Sequence, residues 1–328
     1  MRSRALFPIV ATLCIGCGEA KPKSDSDAVT PQATAAATLP AGETMLRVPD
    51  GKIWYKRSGT GNGTPLILLH GGPGFNSFYL KPLEALGNDR PVVRYDQLGG
   101  GKSGPMTDTS LFTIAHFVRE LDSLRASLGY DKVDILGHSW GTILAYEYYK
   151  AHPDHVASIV FASACLDIPA YEKHAKRLIS TLSDSAQKAI RVAESSKKYD
   201  APSYQNAINE FYGKYLWRHP AEADLDSTMK TANEGIYNYM QGPSEFTITG
   251  TLKPYNVTGE LGSIKVPTLY TVGEFDEVGP EIVKGFANKT PGSKYALIPG
   301  SAHLTSWDNP TEMIKVVREF LASVDAKK

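Results

Sequence analysis

The stretch Val133-Asp134-Ile135-Leu136-Gly137-His138-Ser139-Trp140-Gly141-Thr142 joins a short apolar run to a helix-like segment that continues to Ala151. Strand, tight turn with a central serine, then helix is the arrangement of a nucleophile elbow. There the serine backbone is strained and its hydroxyl projects over the end of a parallel sheet. Gly137 and Gly141, two residues either side of Ser139, are required because a β-carbon at either place would meet the neighbouring strand or helix. A bare G-x-S-x-G occurs often by chance; its place between a buried strand and a helix gives it meaning. Ser139 is the candidate nucleophile.

Outward from the elbow, short apolar runs alternate with helix-length segments. Leu66–Leu69, Val92–Tyr95, Val133–Leu136 and Ala157–Ala162 read as buried parallel strands. Leu111–Leu128 carries Phe117, Leu121, Leu124 and Leu128 at helical spacing and ends at Gly129, which predicts a helix with a glycine C-cap. Met45–Val48 and Ile53–Arg57 predict a leading antiparallel hairpin turning at Asp50-Gly51. Residues 166–243 are helical in character with no strand, after which Thr268–Val272, Tyr295–Ile298 and a helix over Thr311–Val324 resume the alternation. The expected fold is α/β, a doubly wound, mostly parallel sheet of the α/β-hydrolase kind interrupted by a helical cap. Core segments at 43–164 and 256–328 flank a cap at 165–255.

This topology places an acid and then a histidine after the serine, each on a loop at the carboxyl end of a strand. Asp276, in Gly273-Glu274-Phe275-Asp276-Glu277, and His303, in Gly300-Ser301-Ala302-His303, fill those places. His303 would take the serine proton while Asp276 fixes its tautomer. Asp167, just beyond the fourth strand, is the rival acid, and Glu274 reads as structural. His138 reads as a packing residue, and the histidines at 116, 152, 155, 174 and 219 as members of solvated faces. His70-Gly71-Gly72-Pro73-Gly74 follows the strand Leu66–Leu69, and its side-chain-free glycines let a backbone N–H approach an oxyanion together with the N–H of Trp140. Asp96-Gln97-Leu98-Gly99-Gly100-Gly101-Lys102-Ser103 lacks the spacing of a phosphate-cradling loop and predicts a structural turn. Phe75, Trp140 and Tyr239 are candidates for the pocket wall.

The chain carries 35 Lys and Arg against 35 Asp and Glu, a balance that gives no footprint for nucleic acid. Arg2 and Arg4 precede the apolar run Ala5–Ile15, which is far shorter than the ~20 residues of a spanning helix and reads, over 1–17, as a secretion signal. Cys14-Ile15-Gly16-Cys17 resembles a bacterial lipobox, although Cys14 stands where leucine is usual. Cys17 is thus the candidate lipidation site, and the cell envelope, on its periplasmic side, the expected location. Residues 18–42, rich in Ala, Thr, Pro, Ser and Lys, read as a tether. Of three cysteines, only Cys165 lies beyond that signal, and it reads as a small core residue. No Cys/His cluster has metal-ligand spacing, and a hydrolase working through Ser139, Asp276 and His303 needs neither metal nor organic cofactor.

Taken together, His70–Gly74, Asp96-Gln97-Leu98-Gly99 with Gly101 and Ser103, and Gly137–Gly141 resemble the proline iminopeptidase family of α/β-hydrolases. Gly242-Pro243-Ser244-Glu245-Phe246, Thr249-Gly250-Thr251 and Gly273–Glu277 are similar to its tricorn-interacting aminopeptidase branch. The likeness spans about residues 45–325 and departs at Gly100, where many relatives have cysteine, and at Thr142, where glycine is frequent. It implies release of an N-terminal residue from peptides by Ser139, Asp276 and His303, with Gly72 and Trp140 as oxyanion donors. It also implies that Glu245 and Glu277 bind the substrate's free amine. A peptide amine with pKa near ~7.7–8.0 is largely cationic at neutral pH, so carboxylates in a partly dry site would hold it and reject blocked N-termini. An esterase, amidase or lactone hydrolase using the same triad is the alternative.

Overall fold

The computed structural model describes residues 41–219 and 223–327, with residues 223–226 described by their backbone alone. The signal-like segment 1–17 with Cys17, and all but the last two residues of 18–42, lie outside the described residues.

The chain forms an eight-stranded sheet from β1 (Gly42–Val48), β2 (Gly51–Ser58), β3 (Leu66–Leu69), β4 (Val92–Asp96), β5 (Val133–His138), β6 (Val156–Ala162), β7 (Thr268–Gly273) and β8 (Lys294–Ile298). The strand order is β1-β2-β4-β3-β5-β6-β7-β8. The β1–β2 and β2–β4 pairs are antiparallel, and every later pair is parallel. The leading hairpin pairs Val48 with Gly51, so Pro49-Asp50 form its turn and Gly51 already belongs to β2. β1 begins at Gly42, inside the stretch read as tether.

Every residue of β3, β4 and β5 is buried, which explains why these strands read as continuous apolar runs and not as alternating ones. The helices that sandwich the sheet are α1 (Ile114–Ser127), α2 (Trp140–Ala151), α8 (Pro280–Lys289) and α9 (Pro310–Asp325). α1 starts three residues later than its apolar spacing predicts, because Thr113 accepts from the His116 N–H and the residues before it form a 3-10 turn held by Asp108. It ends as predicted, with Gly129 at φ +69°. His116 is not on a solvated face: it is buried, with Asp50 at 3.1 Å and Glu120 at 3.8 Å. Its face of α1 is polar, but Asp50 of the β1–β2 turn and Leu98 of the loop after β4 meet it.

Between β6 and β7 lie α3 (Ile168–Ile179), α4 (Asp184–Ser196), α5 (Pro202–Tyr215), α6 (Ala223–Lys230) and α7 (Glu234–Met240), with no strand among the described residues. The two ends of this insertion meet: Ile168 donates to Tyr255, Val257 donates to Leu166, and Asp167 bridges Asn256. β3 and β5 are neighbours although β4 comes between them in sequence, so the chain reverses direction across the sheet at β3. The loops that leave the carboxyl ends of β3 and β5 flank that reversal, where open α/β sheets build their sites.

Candidate active site

Ser139 adopts φ 55° and ψ −123°, a strained conformation for a residue with a side chain, between the end of β5 and the first residue of α2. The elbow is held by Ser139 N–H donating to Ala162 (3.1 Å) and by the Thr142 hydroxyl donating to the Ser139 carbonyl (2.6 Å). A β-carbon on Gly137 would lie 2.1 Å from the Gly141 carbonyl oxygen, and one on Gly141 would lie 2.3 Å from that of Leu69. Both glycines are therefore obligatory. Thr142, where glycine is frequent in the family, uses its hydroxyl to brace the turn and to accept from Cys165 N–H at 3.0 Å.

Asp276 follows β7 and His303 follows β8, and the two meet: His303 Nδ1 lies 2.8 Å from Asp276 Oδ1. Burial raises the Asp276 carboxyl, but the His303 imidazole outweighs it and holds the group below the ordinary aspartate value. Burial likewise depresses His303, while Asp276 and, less strongly, Glu245 outweigh it and raise the imidazole above the usual histidine value. Asp167 has no part here, because its side chain caps α3 by accepting from Ala170 N–H at 3.0 Å. Ser139 and His303 line one cavity of about 360 Å³ with Gly71, Gly72, Phe75 and Glu245. The polar neighbour of Ser139 Oγ is Cys165 Sγ, at 3.9 Å. A hydroxyl moves between staggered rotamers, and catalytic hydrogen bonds are commonly looser in unliganded sites. Cys165 is buried as expected, but beside Ser139. It lines a second space of about 230 Å³ with Gly72, Ser139, Trp140 and Glu245.

The His70–Gly74 loop packs directly on the elbow: a β-carbon on Gly71 would come within 3.0 Å of Ser139 Cβ. Gly72, at φ +119°, faces both cavities. Trp140 is the first residue of α2, so its N–H has no intrahelical acceptor and is directed out of the helix end. Gln97 locks the two together. Its side chain donates to the His70 carbonyl (3.1 Å) and accepts from Trp140 Nε1 (2.8 Å), and its backbone N–H donates to His70 Nε2 (3.0 Å). The Asp96–Ser103 segment is the structural turn predicted, with Asp96 accepting from Ser77 and from Lys102 N–H. At Gly100 a β-carbon would lie 1.9 Å from the Phe75 carbonyl oxygen, so this chain closes the loop more tightly than a cysteine there would allow.

His138 does more than pack. Gly71 N–H donates to the Tyr79 hydroxyl (2.7 Å), and that hydroxyl lies 2.8 Å from His138 Nδ1. His138 Nε2 lies 2.9 Å from the His303 carbonyl. Only one tautomer satisfies both contacts: Tyr79 donates to Nδ1 and Nε2–H donates to His303. Burial, with help from His303, drives His138 down to about 3, which keeps it neutral. The relay ties the His70–Gly74 loop to the backbone of His303.

Glu245 descends from the segment after α7 and Glu277 follows Asp276. Both are buried, and Glu277 Oε1 is 4.0 Å from His303 Nε2. Tyr237 and Tyr171 donate to the two Glu245 oxygens at 2.8 and 3.1 Å. Of the expected wall residues, Phe75 lines the larger cavity and stacks on Tyr237, and Trp140 lines the smaller. Tyr239 is instead 44% exposed and packs edge-on against Phe112, because its helix turns the neighbouring Tyr237 inward. Glu274 is structural, accepting from Gly300 N–H at 2.9 Å. Sequence reading missed Tyr79, Tyr171, Tyr237 and Asp308. Asp308 accepts from Ala302 (2.8 Å) and from Arg218 (2.8 Å), joining the loop of His303 to the insertion. Tyr79, Tyr171 and Asp308 act across separations of 59, 74 and 90 residues, and Tyr237, 8 residues from Glu245, belongs to no motif; only Gln97 stood inside a quoted one.

The sheet and elbow define an α/β hydrolase, and the model of the α/β hydrolase fold matches residues 64–310. The proline iminopeptidase of Heyndrickxia coagulans is 40% identical over 286 residues, covering 86% of this chain and 99% of that protein. The crystal structure of a proline iminopeptidase from Mycobacterium smegmatis superposes with a TM-score of 0.80 at 28% identity, covering 87% of this chain and 99% of that one. That of VinJ gives 0.83 at 29%, covering 87% and 100%. The chain belongs to the proline iminopeptidase family.

Proposed function

We propose that this chain is a serine aminopeptidase that releases N-terminal proline, or another small apolar residue, from peptides. The observation that carries the reading is the pair of buried carboxyl groups, Glu245 and Glu277, set beside a serine elbow and a His–Asp pair, with no lysine or arginine among the described residues lining either cavity. An acyl-transfer site of this kind accepts a cation next to the carbonyl it attacks. The family relatives named as proline iminopeptidases support the same assignment.

In the proposed cycle Ser139 Oγ attacks the carbonyl of the first residue while His303 Nε2 takes its proton. Asp276 holds the opposite nitrogen and stabilises the imidazolium. The N–H groups of Gly72 and Trp140 bind the oxyanion, each such donor contributing ~3–4 kcal/mol to the transition state. His303 then protonates the departing peptide amine, and water releases the acyl group from Ser139 by the same steps in reverse order. Glu245 and Glu277 hold the substrate amine; protonated proline still offers two N–H bonds. The test is kcat/KM for prolyl-, alanyl- and leucyl-4-nitroanilide, each with a free and an acetylated amine, beside 4-nitrophenyl acetate. Turnover of free amines and refusal of acetylated ones is expected. Ester cleavage alone would overturn the reading in favour of an esterase.

The signal-like residues and Cys14–Cys17 support an envelope location with a lipid on Cys17. Incorporation of a labelled fatty acid, lost in Cys17→Ala, is the expected result. Recovery of unlabelled protein from the cytoplasm would contradict it.

A further inference from the structure

Glu245 and Glu277 share one site in which burial raises both carboxyl groups, yet their hydrogen bonding differs. Both Glu245 oxygens receive a tyrosine hydroxyl, from Tyr237 and Tyr171, and donors of this kind favour the ionised form. Neither Glu277 oxygen has a hydrogen-bond partner, although the residue is 0% exposed. The groups that face Glu277 come from every surrounding element. Asp276 adjoins it in the chain, His303 Nε2 approaches to 4.0 Å from the loop after β8, and Glu245 approaches from the segment after α7. Tyr171 of α3 stands nearby, and Cys165, Tyr212 of α5 and Tyr237 of α7 lie further out. His303 is already committed to Asp276. A carboxylate with no donor, beside two other carboxyl groups in a dry site, is strongly disfavoured, whereas a neutral carboxyl is tolerated. When two titratable groups share a site, the one with fewer donors keeps the proton.

We propose that Glu277 is protonated in the resting site and surrenders its proton when the substrate's N-terminal ammonium arrives, so that a free amine is recognised by exchange of one cation for another. This rests on the amine-binding reading above. The balance is simple: the ammonium and the Glu277 carboxylic acid become an ammonium–carboxylate pair plus one proton delivered to the buffer. No covalent bond to carbon forms or breaks. Burial, then Glu245 and Asp276, push the Glu277 carboxyl well above the usual range and outweigh the nearby Tyr171 hydroxyl, which lowers it, as the exchange requires. A blocked N-terminus carries no charge to displace the proton and leaves Glu277 neutral. Because a proton is a product of binding, affinity for the amine falls tenfold for each pH unit of acidification wherever the resting carboxyl is protonated.

The test is calorimetric titration of the full chain carrying Ser139→Ala with L-prolinamide. It is run near pH ~6, where a free peptide amine is already fully cationic, in buffers of different ionisation enthalpy. The expected result is an apparent enthalpy that changes with the buffer, with a slope of one proton released per amine bound. In Glu277→Gln the slope should vanish while weaker binding through Glu245 persists. A buffer-independent enthalpy in the Ser139→Ala protein would overturn the proposal. So would a slope that survives Glu277→Gln, which would assign the proton to His303. If Glu277→Gln does not fold, the pH dependence of prolinamide affinity in Ser139→Ala and in Ser139→Ala with His303→Gln decides: tenfold per unit in both supports the exchange, and a profile that is flat in the first, or becomes flat in the second, refutes it. Failure of prolinamide to bind, with no cleavage of prolyl-4-nitroanilide by the unmodified chain, would defeat the peptidase reading itself. Binding and turnover with a flat buffer response would defeat only the exchange.

Discussion

Replacing Tyr79 by phenylalanine removes one oxygen and leaves the ring in place. That oxygen accepts from Gly71 N–H at 2.7 Å and pairs with His138 Nδ1 at 2.8 Å, so its loss strands a buried donor and a buried acceptor together. Each stranded group costs ~1–3 kcal/mol. Tyr79 lines the larger cavity, so water reaches the vacated position and recovers part of the loss. A net destabilisation of about 2–3 kcal/mol remains. At about 2 °C per kcal/mol for a domain of this size, the melting temperature falls about 4–6 °C. Catalysis suffers separately. Gly72, next to the released Gly71, loses its fixed position, and the His138 bond to the His303 carbonyl loses its tautomeric lock. Loss of part of one oxyanion donor, worth ~3–4 kcal/mol in full, predicts a fall in kcat of about 10- to 100-fold, with KM for prolyl-4-nitroanilide nearly unchanged. Thermal melting and steady-state kinetics on the same preparation measure both. A Tyr79→Phe protein matching the parent in melting temperature and kcat would refute the claim that this hydroxyl couples the oxyanion loop to His303.

Asp276→Asn preserves shape but offers His303 the wrong tautomer, and kcat should drop by about 10⁴ with the fold intact by circular dichroism; a loss below about tenfold would move the acid elsewhere. Arg90 is 3% exposed and reaches Asp134 and Asp325 at 2.8 Å each, so Arg90→Ala should cost ~3–5 kcal/mol in urea unfolding by leaving the buried Asp134 charge without its guanidinium. Stability within error of the parent would contradict this. Glu120, pushed up to about 8 by burial against a weaker opposing bond from Leu98 N–H, binds its proton more tightly in the folded state than in the unfolded one. Stability therefore declines as pH rises from about 4.5 to about 8 on its account. Glu120→Gln should melt higher than the parent at pH 8 and no higher near pH 4, and a gap that fails to close on acidification would disprove the linkage.

The elbow, the alternation of buried runs and the order serine, acid, histidine made the sheet and the Ser139, Asp276 and His303 positions legible in the sequence. Those signals are local: a glycine two residues from Ser139, or a loop directly after an apolar strand, is visible within a short window. What stayed hidden depends on closure of the fold. Tyr79 meets His138 across a separation of 59 residues, and Tyr171 meets Glu245 across 74. His116 was misread because the polar residues around it on α1 turn toward Asp50 and the Leu98 loop, and only the assembled hairpin buries them. Tyr239 was misread because neighbouring positions on a single helical turn face opposite ways.

The insertion between β6 and β7 is stitched to the histidine loop by its own backbone. His303 N–H donates to Tyr215 (3.1 Å) and Leu304 N–H donates to Leu216 (2.9 Å), with Asp308 gripping Arg218 beside them. His303 is thus suspended from two directions, by the sheet below and by the insertion above. Trimming the insertion to enlarge the substrate range would not simply widen the opening. It would unhook His303 from half of its support. Exchanging the insertion for another of different shape preserves chemistry only if the donor brings the two carbonyls that His303 and Leu304 need. The roof is a structural member of the machinery beneath it.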